Sequence, residues 1–157
     1  MTRFKALLVP LALAGLLACT GRAERCWVCD REIHARVRAT LTLAGGRTVS
    51  ACCPRCALHY KDDPKNRVGA MRVTDYRSGA TLPFEKAFLV EGSDEAPCMH
   101  HPPVVDETRA PMQVCYDRCL PSLIAFGDEA GARAFMADHG GSLHPPGSLT
   151  SLPAASP

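Results

Sequence analysis

The stretch Val37-Arg38-Ala39-Thr40-Leu41-Thr42-Leu43-Ala44-Gly45-Gly46-Arg47-Thr48-Val49-Ser50-Ala51-Cys52-Cys53-Pro54 carries three structural signals in succession. Apolar and polar residues alternate first. Val37, Ala39, Leu41 and Leu43 share one face and Arg38, Thr40 and Thr42 the other, which is the period of a half-buried strand. Gly45-Gly46 makes a turn, and Arg47 to Cys52 returns as the second strand of a hairpin. Pro54 then opens a helix reaching about Lys61, because the first helical turn has no use for the N–H that proline lacks. Asp62-Asp63-Pro64 ends that helix.

Downstream, Met71 to Asp75 reads as a strand, Ser78-Gly79 as a turn, and Ala87 to Glu91 as another strand. Residues 93–121 are rich in Pro, Asp and Glu and lack apolar periodicity, so they read as a long loop that metal or disulfides would order. Leu123 to Phe126 is a strand. Asp128 caps a helix running to His139 and stopped by Gly140-Gly141. Ala132, Phe135, Met136 and His139 share one face of it, and Met136 and His139 are expected to pack in the core rather than to bind a ligand. The order strand, strand, helix, strand thus occurs twice, predicting an α+β protein of two small units, residues 26–79 and 80–142. Residues 143–157 hold mostly Pro, Ser, Leu and Ala and are expected to form a disordered tail.

Upstream, Arg3 and Lys5 precede an apolar run from Ala6 to Ala18. That run is shorter than the ~20 residues a membrane-spanning helix needs, and it fits a secretory signal peptide over residues 1–18. Leu16-Leu17-Ala18-Cys19 resembles a bacterial lipobox, making Cys19 the candidate lipid attachment. Thr20 follows Cys19 where an Asp would signal inner-membrane retention, which favours the outer membrane, facing the periplasm. The tether 19–25 leaves six residues between Cys19 and Cys26, a reach of roughly 20 Å.

The 157 residues are 46% hydrophobic and 22% charged, a globular composition. Without Arg3 and Lys5, the basic residues equal the acidic ones at 16 each. A neutral chain without a basic run argues against a nucleic-acid partner. No phosphate-binding glycine loop, nucleophile elbow or carboxylate pair points to catalysis, so no enzyme is expected.

Nine cysteines pose the main question. Five form an N-terminal set: Cys26-Trp27-Val28-Cys29 and Cys52-Cys53-Pro54-Arg55-Cys56. Their spacing is close to that of a zinc ribbon, and the Cys29, Cys52, Cys56 subset is similar to metal-trafficking modules of the TRASH type. Cys52 and Cys56 stand four apart across a helix start, where the thiolate is favoured; His34 and His59 are further candidates. A second set, Cys98-Met99-His100-His101 with Met112, Cys115 and Cys119, combines thiolate, thioether and imidazole, a donor mixture that suits Cu(I). Cys98, Met112, Cys115 and Cys119 are candidates for further metal ligation or for disulfides. Outside the cytoplasm, disulfides are a standing alternative for all of these cysteines. The vicinal pair Cys52-Cys53 fits a simple disulfide framework poorly.

Residues 16–145 resemble the NosL-type family, the copper-binding accessory lipoproteins of nitrous-oxide reductase. The resemblance rests on the Cys26/Cys29 pair near the lipobox, the Gly45-Gly46 hairpin, Val73-Thr74-Asp75-Tyr76-Arg77-Ser78-Gly79, Ala87-Phe88-Leu89-Val90-Glu91-Gly92-Ser93, and the closing Ile124-Ala125-Phe126, Ala130 to Phe135 and Gly140-Gly141. Where the family carries Gly-Met after its cysteine pair, this chain has Asp30-Arg31. Pro97-Cys98-Met99-His100 stands in the place of the family's Pro-Met-Gly. Cys52, Cys53, Cys56, Cys115 and Cys119 are additional to the family pattern. The resemblance implies two α+β units and a membrane-tethered protein that binds Cu(I) and delivers it to a client metalloprotein or copper transporter, with nitrous-oxide reductase as one candidate client. Cys26 and Cys29 would be primary ligands and Met99 or His100 would join from the second half, while Cys52, Cys53 and Cys56 would form a second site or hold a structural ion. Two alternatives stand beside this: a zinc-ribbon or heavy-metal sequestration lipoprotein, and a disulfide-bonded periplasmic interaction protein or thiol oxidoreductase.

Overall fold

The computed structural model describes residues 24–98 and 117–152. The first unit contains β1 (Ala39–Leu43), β2 (Thr48–Ala51), α1 (Pro54–Asp62), β3 (Val68–Thr74) and β4 (Thr81–Pro83), which pairs with β3 and so moves the boundary past the expected residue 79; the second contains β5 (Phe88–Glu91), β6 (Leu123–Phe126), α2 (Glu129–His139) and β7 (Ser142–His144). Two antiparallel sheets result, ordered β2-β1-β3-β4 and β6-β5-β7. In each, the first strand is central, the second and third flank it, and a helix joins those two. The chain therefore repeats one α+β topology twice without repeating its sequence.

Alternation in β1 sends Ala39 and Leu41 fully into the core. The hairpin pairs Ala39 with Ala51 and Thr42 with Thr48, and Leu43 N–H donates to the Arg47 carbonyl at 2.8 Å to close it. Val37 lies outside the strand, in a short 3-10 turn over Ala35–Val37, and its side chain serves the second unit's core. β3 starts at Val68, three residues before the predicted Met71, because its first residues are largely exposed and show no apolar alternation.

β5 and β6 are buried on both faces. Leu89, Leu123 and Ala125 join the core shared with the first unit, while Val90, Ile124 and Phe126 pack beneath α2 with Ala132 and Phe135. This double burial explains why Leu123 to Phe126 reads as one apolar run. Asp128 Oδ1 accepts the Gly131 N–H at 2.7 Å, capping α2. Gly140, at φ 68°, ends it in the left-handed region that glycine favours. His139 stacks on Phe135 at 4.5 Å between ring centroids, and Met136 packs on the same cluster.

The ordered body extends past the predicted boundary at residue 142. β7 pairs Leu89 with His144 and Glu91 with Ser142, and Leu149 and Leu152 pack against the main core. Over residues 143–152 the disordered-tail expectation is therefore corrected: β5 offers an open edge, and the scattered leucines are what pack. Residues 153–157 lie outside the described part.

The units are joined by polar contacts as well as by the core. Arg55, 4% exposed, forms an ion pair with Glu91, whose other oxygen meets His144 Nε2 at 2.8 Å. Asp75 Oδ2 accepts the Gly127 N–H at 2.6 Å, and Oδ1 accepts N–H groups of Arg77 and Ser78 at 2.8 and 2.9 Å. Burial opposes the charge on Asp75, but these three N–H donors outweigh it and hold its pKa below the usual carboxylate value.

Candidate metal centre

Three local structures build the site. The first is a tight loop at the start of the described chain. Arg25 and Glu32 form an antiparallel bridge, Cys26 N–H donates to the Arg31 carbonyl at 2.8 Å, and Asp30 N–H to the Cys26 carbonyl at 2.9 Å. Val28 N–H donates to Cys26 Sγ at 3.4 Å. Asp30 sits at φ 58°, a left-handed conformation that glycine takes freely and Asp tolerates. Trp27 N–H donates to the Ser50 carbonyl at 2.9 Å, which docks this loop on β2 beside Cys52.

The second is the start of α1. Cys53 is its N-cap in extended conformation, and its Sγ accepts the Cys56 N–H at 3.5 Å, the role Ser or Asp usually fills. Pro54 follows at the first helical position. Cys52, Cys53 and Cys56 therefore project around the helix start, all three at most 2% exposed.

The third is the long β5–β6 connection, of which residues 92–98 and 117–122 are described. Its ends are pinned by Ser93 Oγ and Ser122 Oγ at 2.9 Å and by Gly92 N–H donating to the Ser122 carbonyl at 2.9 Å. Arg31 grips Asp117 through two hydrogen bonds of 2.8 and 2.7 Å, and Asp117 Oδ1 also accepts the Cys119 N–H at 2.9 Å. Arg31 thus ties the first loop to the third structure. The connection delivers Cys98 and Cys119 to the helix start, both nearly fully buried.

All seven described cysteines are free thiols, and all converge. They fall into two groups of four sulfurs within 4.8 Å of one another: Cys26, Cys29, Cys52 and Cys56, and Cys52, Cys53, Cys98 and Cys119. Cys52 Sγ lies 3.5 Å from Cys29, 3.9 Å from Cys53 and 3.6 Å from Cys119, and Cys119 lies 3.6 Å from Cys56. A disulfide needs about 2.05 Å. Sulfurs placed tetrahedrally around an ion ~2.3 Å from each stand roughly 3.8 Å apart. The spacing is too long for disulfides and fits ligands around a common ion.

The protons are unevenly shared. Cys119 receives S–H donors led by Cys52, and its pKa falls well below that of an ordinary thiol; Cys52, hydrogen-bonded foremost to Cys119, is pushed far up. Burial pushes Cys29 up to about 11. Cys29 is the one sulfur of the seven that is only partly buried. It opens on a surface depression lined also by Trp27, Asp30, Arg31 and Arg118. Trp27 is 59% exposed there, under the Arg47 guanidinium.

The separate N-terminal and loop sets of cysteines meet at one place in the fold. His59 is exposed on α1 and His34 precedes the 3-10 turn; neither belongs to a sulfur group. Cys19, Met99, His100, Met112 and Cys115 lie outside the described residues. The grouping of Cys98 and Cys119 with Cys52 and Cys53 had no signal in local spacing. The Arg31–Asp117 pair was equally invisible, its members being 86 positions apart.

No family model matches the chain, and no curated protein does. Among solved structures, the chain is similar to the crystal structure of the copper chaperone NosL from Shewanella denitrificans, at 17% sequence identity and a TM-score of 0.56. The likeness covers 87% of this chain and 94% of that one, so this protein has a NosL-like fold.

Proposed function

We propose that this protein is a membrane-tethered, extracytoplasmic Cu(I) carrier, anchored through lipid on Cys19, that delivers its ion to a partner metalloprotein or copper transporter and catalyses no reaction. The observation that carries this reading is the convergence of seven reduced cysteines on the start of α1. Thiolates are soft donors that select Cu(I) and Zn(II) over hard cations, and a NosL-like fold favours copper between the two. Cu(I) is the cargo. Delivery proceeds by ligand exchange, in which a partner's sulfur or imidazole groups replace the protein's thiolates one at a time. Cys29 is the ligand a partner reaches first, because its sulfur faces the surface depression. Nitrous-oxide reductase is one client of the right chemistry.

Anaerobic titration with Cu(I) against a competing chelator, with all thiols reduced, tests the carrier. Tight binding that Zn(II) does not displace is expected, and absence of copper binding overturns the reading. A second reading, zinc held structurally or sequestered, is favoured by the four-sulfur group Cys26, Cys29, Cys52 and Cys56, since zinc prefers closed tetrahedral thiolate sites. Zinc that resists displacement by Cu(I) would select it.

A further inference from the structure

We infer that the cysteines form a polynuclear metal–thiolate centre, in which two four-sulfur sites are joined by the bridging sulfur of Cys52. The inference rests on the reading that these cysteines hold metal, and goes beyond it by assigning the number of sites and their unequal roles.

Both four-sulfur groups contain Cys52, and together they use every described cysteine. Cys52 is fully buried and sits between the groups, with Cys29 on one side and Cys53 and Cys119 on the other, at 3.5, 3.9 and 3.6 Å. A single ion takes at most four of these sulfurs in tetrahedral geometry. The three left over would then be thiols, at least two of them buried, packed at ligand distance with no ion between them. A shared sulfur resolves this, because a thiolate has lone pairs enough to bind two ions at once. The contact of Cys56 with Cys119 at 3.6 Å is a second link between the groups. Cationic groups border the cluster: the Arg31 guanidinium, paired with Asp117, stands near Cys29 and Cys119, and Arg118 donates to the Val28 carbonyl at 3.3 Å.

The two sites differ in access. The inner one, Cys52, Cys53, Cys98 and Cys119, is buried at every ligand, and two of its sulfurs come from the β5–β6 connection of the second unit. The outer one reaches the surface through Cys29. The inner ion is therefore a resident that clamps the connection onto α1, and the outer ion is the exchangeable one.

The test uses the full chain, purified anaerobically with its thiols reduced. Cd(II) is the probe, read by thiolate charge-transfer absorbance, native mass spectrometry and cadmium NMR. Two ions per chain are expected, with two cadmium resonances coupled through one sulfur. Cys29→Ser should leave the inner ion bound while weakening the outer by at least tenfold. Cys98→Ser should weaken the inner ion and leave the outer. Saturation of the reduced wild-type chain at one Cd(II), or two uncoupled resonances, overturns the bridged centre. Equal loss from both sites in Cys29→Ser overturns the division of roles. The carrier reading fails separately, if Cu(I) does not bind although two Cd(II) ions do.

Discussion

The two units share a topology and differ most where their helices begin. In the first, β2 runs into Cys52-Cys53-Pro54-Arg55-Cys56; in the second, β6 runs into Gly127-Asp128-Glu129-Ala130-Gly131. The residue before each helix caps it by accepting the N–H three positions on, through sulfur from Cys53 and through a carboxylate from Asp128. The residue before the cap is Cys52 in one unit and Gly127 in the other. Cys52 links two sulfur groups. Gly127 donates its N–H to Asp75, and a Cβ there would stand 2.7 Å from the Asp75 carboxylate. One backbone design thus carries a cluster of thiols able to hold a soft metal in the first unit and a hard, hydrogen-bonded joint in the second. A helix start supplies converging backbone N–H groups in either case, and the side chains decide what they hold.

The sharpest way to break this comparison is Cys53→Ser. Serine keeps the cap and removes a sulfur, so α1 should survive in circular dichroism while affinity at the inner site falls by more than about a hundredfold, exceeding the 10–100-fold typical of removing an outer partner. A variant that binds as the wild type does would show that Cys53 caps α1 without ligating, and one that unfolds would show that serine does not replace the sulfur cap.

Glu91→Ala attacks the joint between the units. It leaves the buried Arg55 guanidinium without its carboxylate, and a loss of about 3 kcal/mol is expected in denaturant unfolding. A loss below about 1 kcal/mol would mean that water reaches Arg55.

Asp75→Ala should cost about 2 kcal/mol, since it orphans three N–H donors. The folded pKa of Asp75 is lowered, so its charge contributes stability that is fully present above the unfolded carboxylate value near about 4 and is lost as pH falls through the lower folded value. The difference in unfolding free energy between wild type and variant should shrink on acidification below pH ~4; a difference unchanged down to pH ~2 contradicts the lowered pKa.

The smallest effect is expected for Asp128→Ala, about 1 kcal/mol from the lost cap of α2, with metal binding untouched. Reduced metal affinity in this variant would show that the helix starts are coupled rather than independent.

Much of this comparison was legible in residue order. Alternation from Ala39 to Leu43, the Gly45-Gly46 turn, Pro54 after Cys53, and Asp128 with Gly140 around α2 are local signals, and each is realised close to where it was expected. β4 and β7 were not legible. Each has three residues and is stabilised by pairing with a strand already in place, Arg72 with Pro83 and Leu89 with His144, so neither carries a pattern of its own. Val37 reads as strand because its apolar character fits the alternation, yet it serves the core under α2.

The sequence by itself determined which residues carry soft donor atoms and where the longer strands and the helices fall, because donor chemistry and local periodicity need no knowledge of distant residues. It also placed Cys26 with Cys29, and Cys52 with Cys53 and Cys56, by proximity along the chain. Tertiary structure decided the rest. Trp27 donating to Ser50 sets the first pair beside the helix start, and Arg31 gripping Asp117 brings Cys119 across from the second unit. Those contacts join residues tens of positions apart. Only the packing of one unit on the other makes a single seven-sulfur centre from two sets of cysteines that the chain keeps separate.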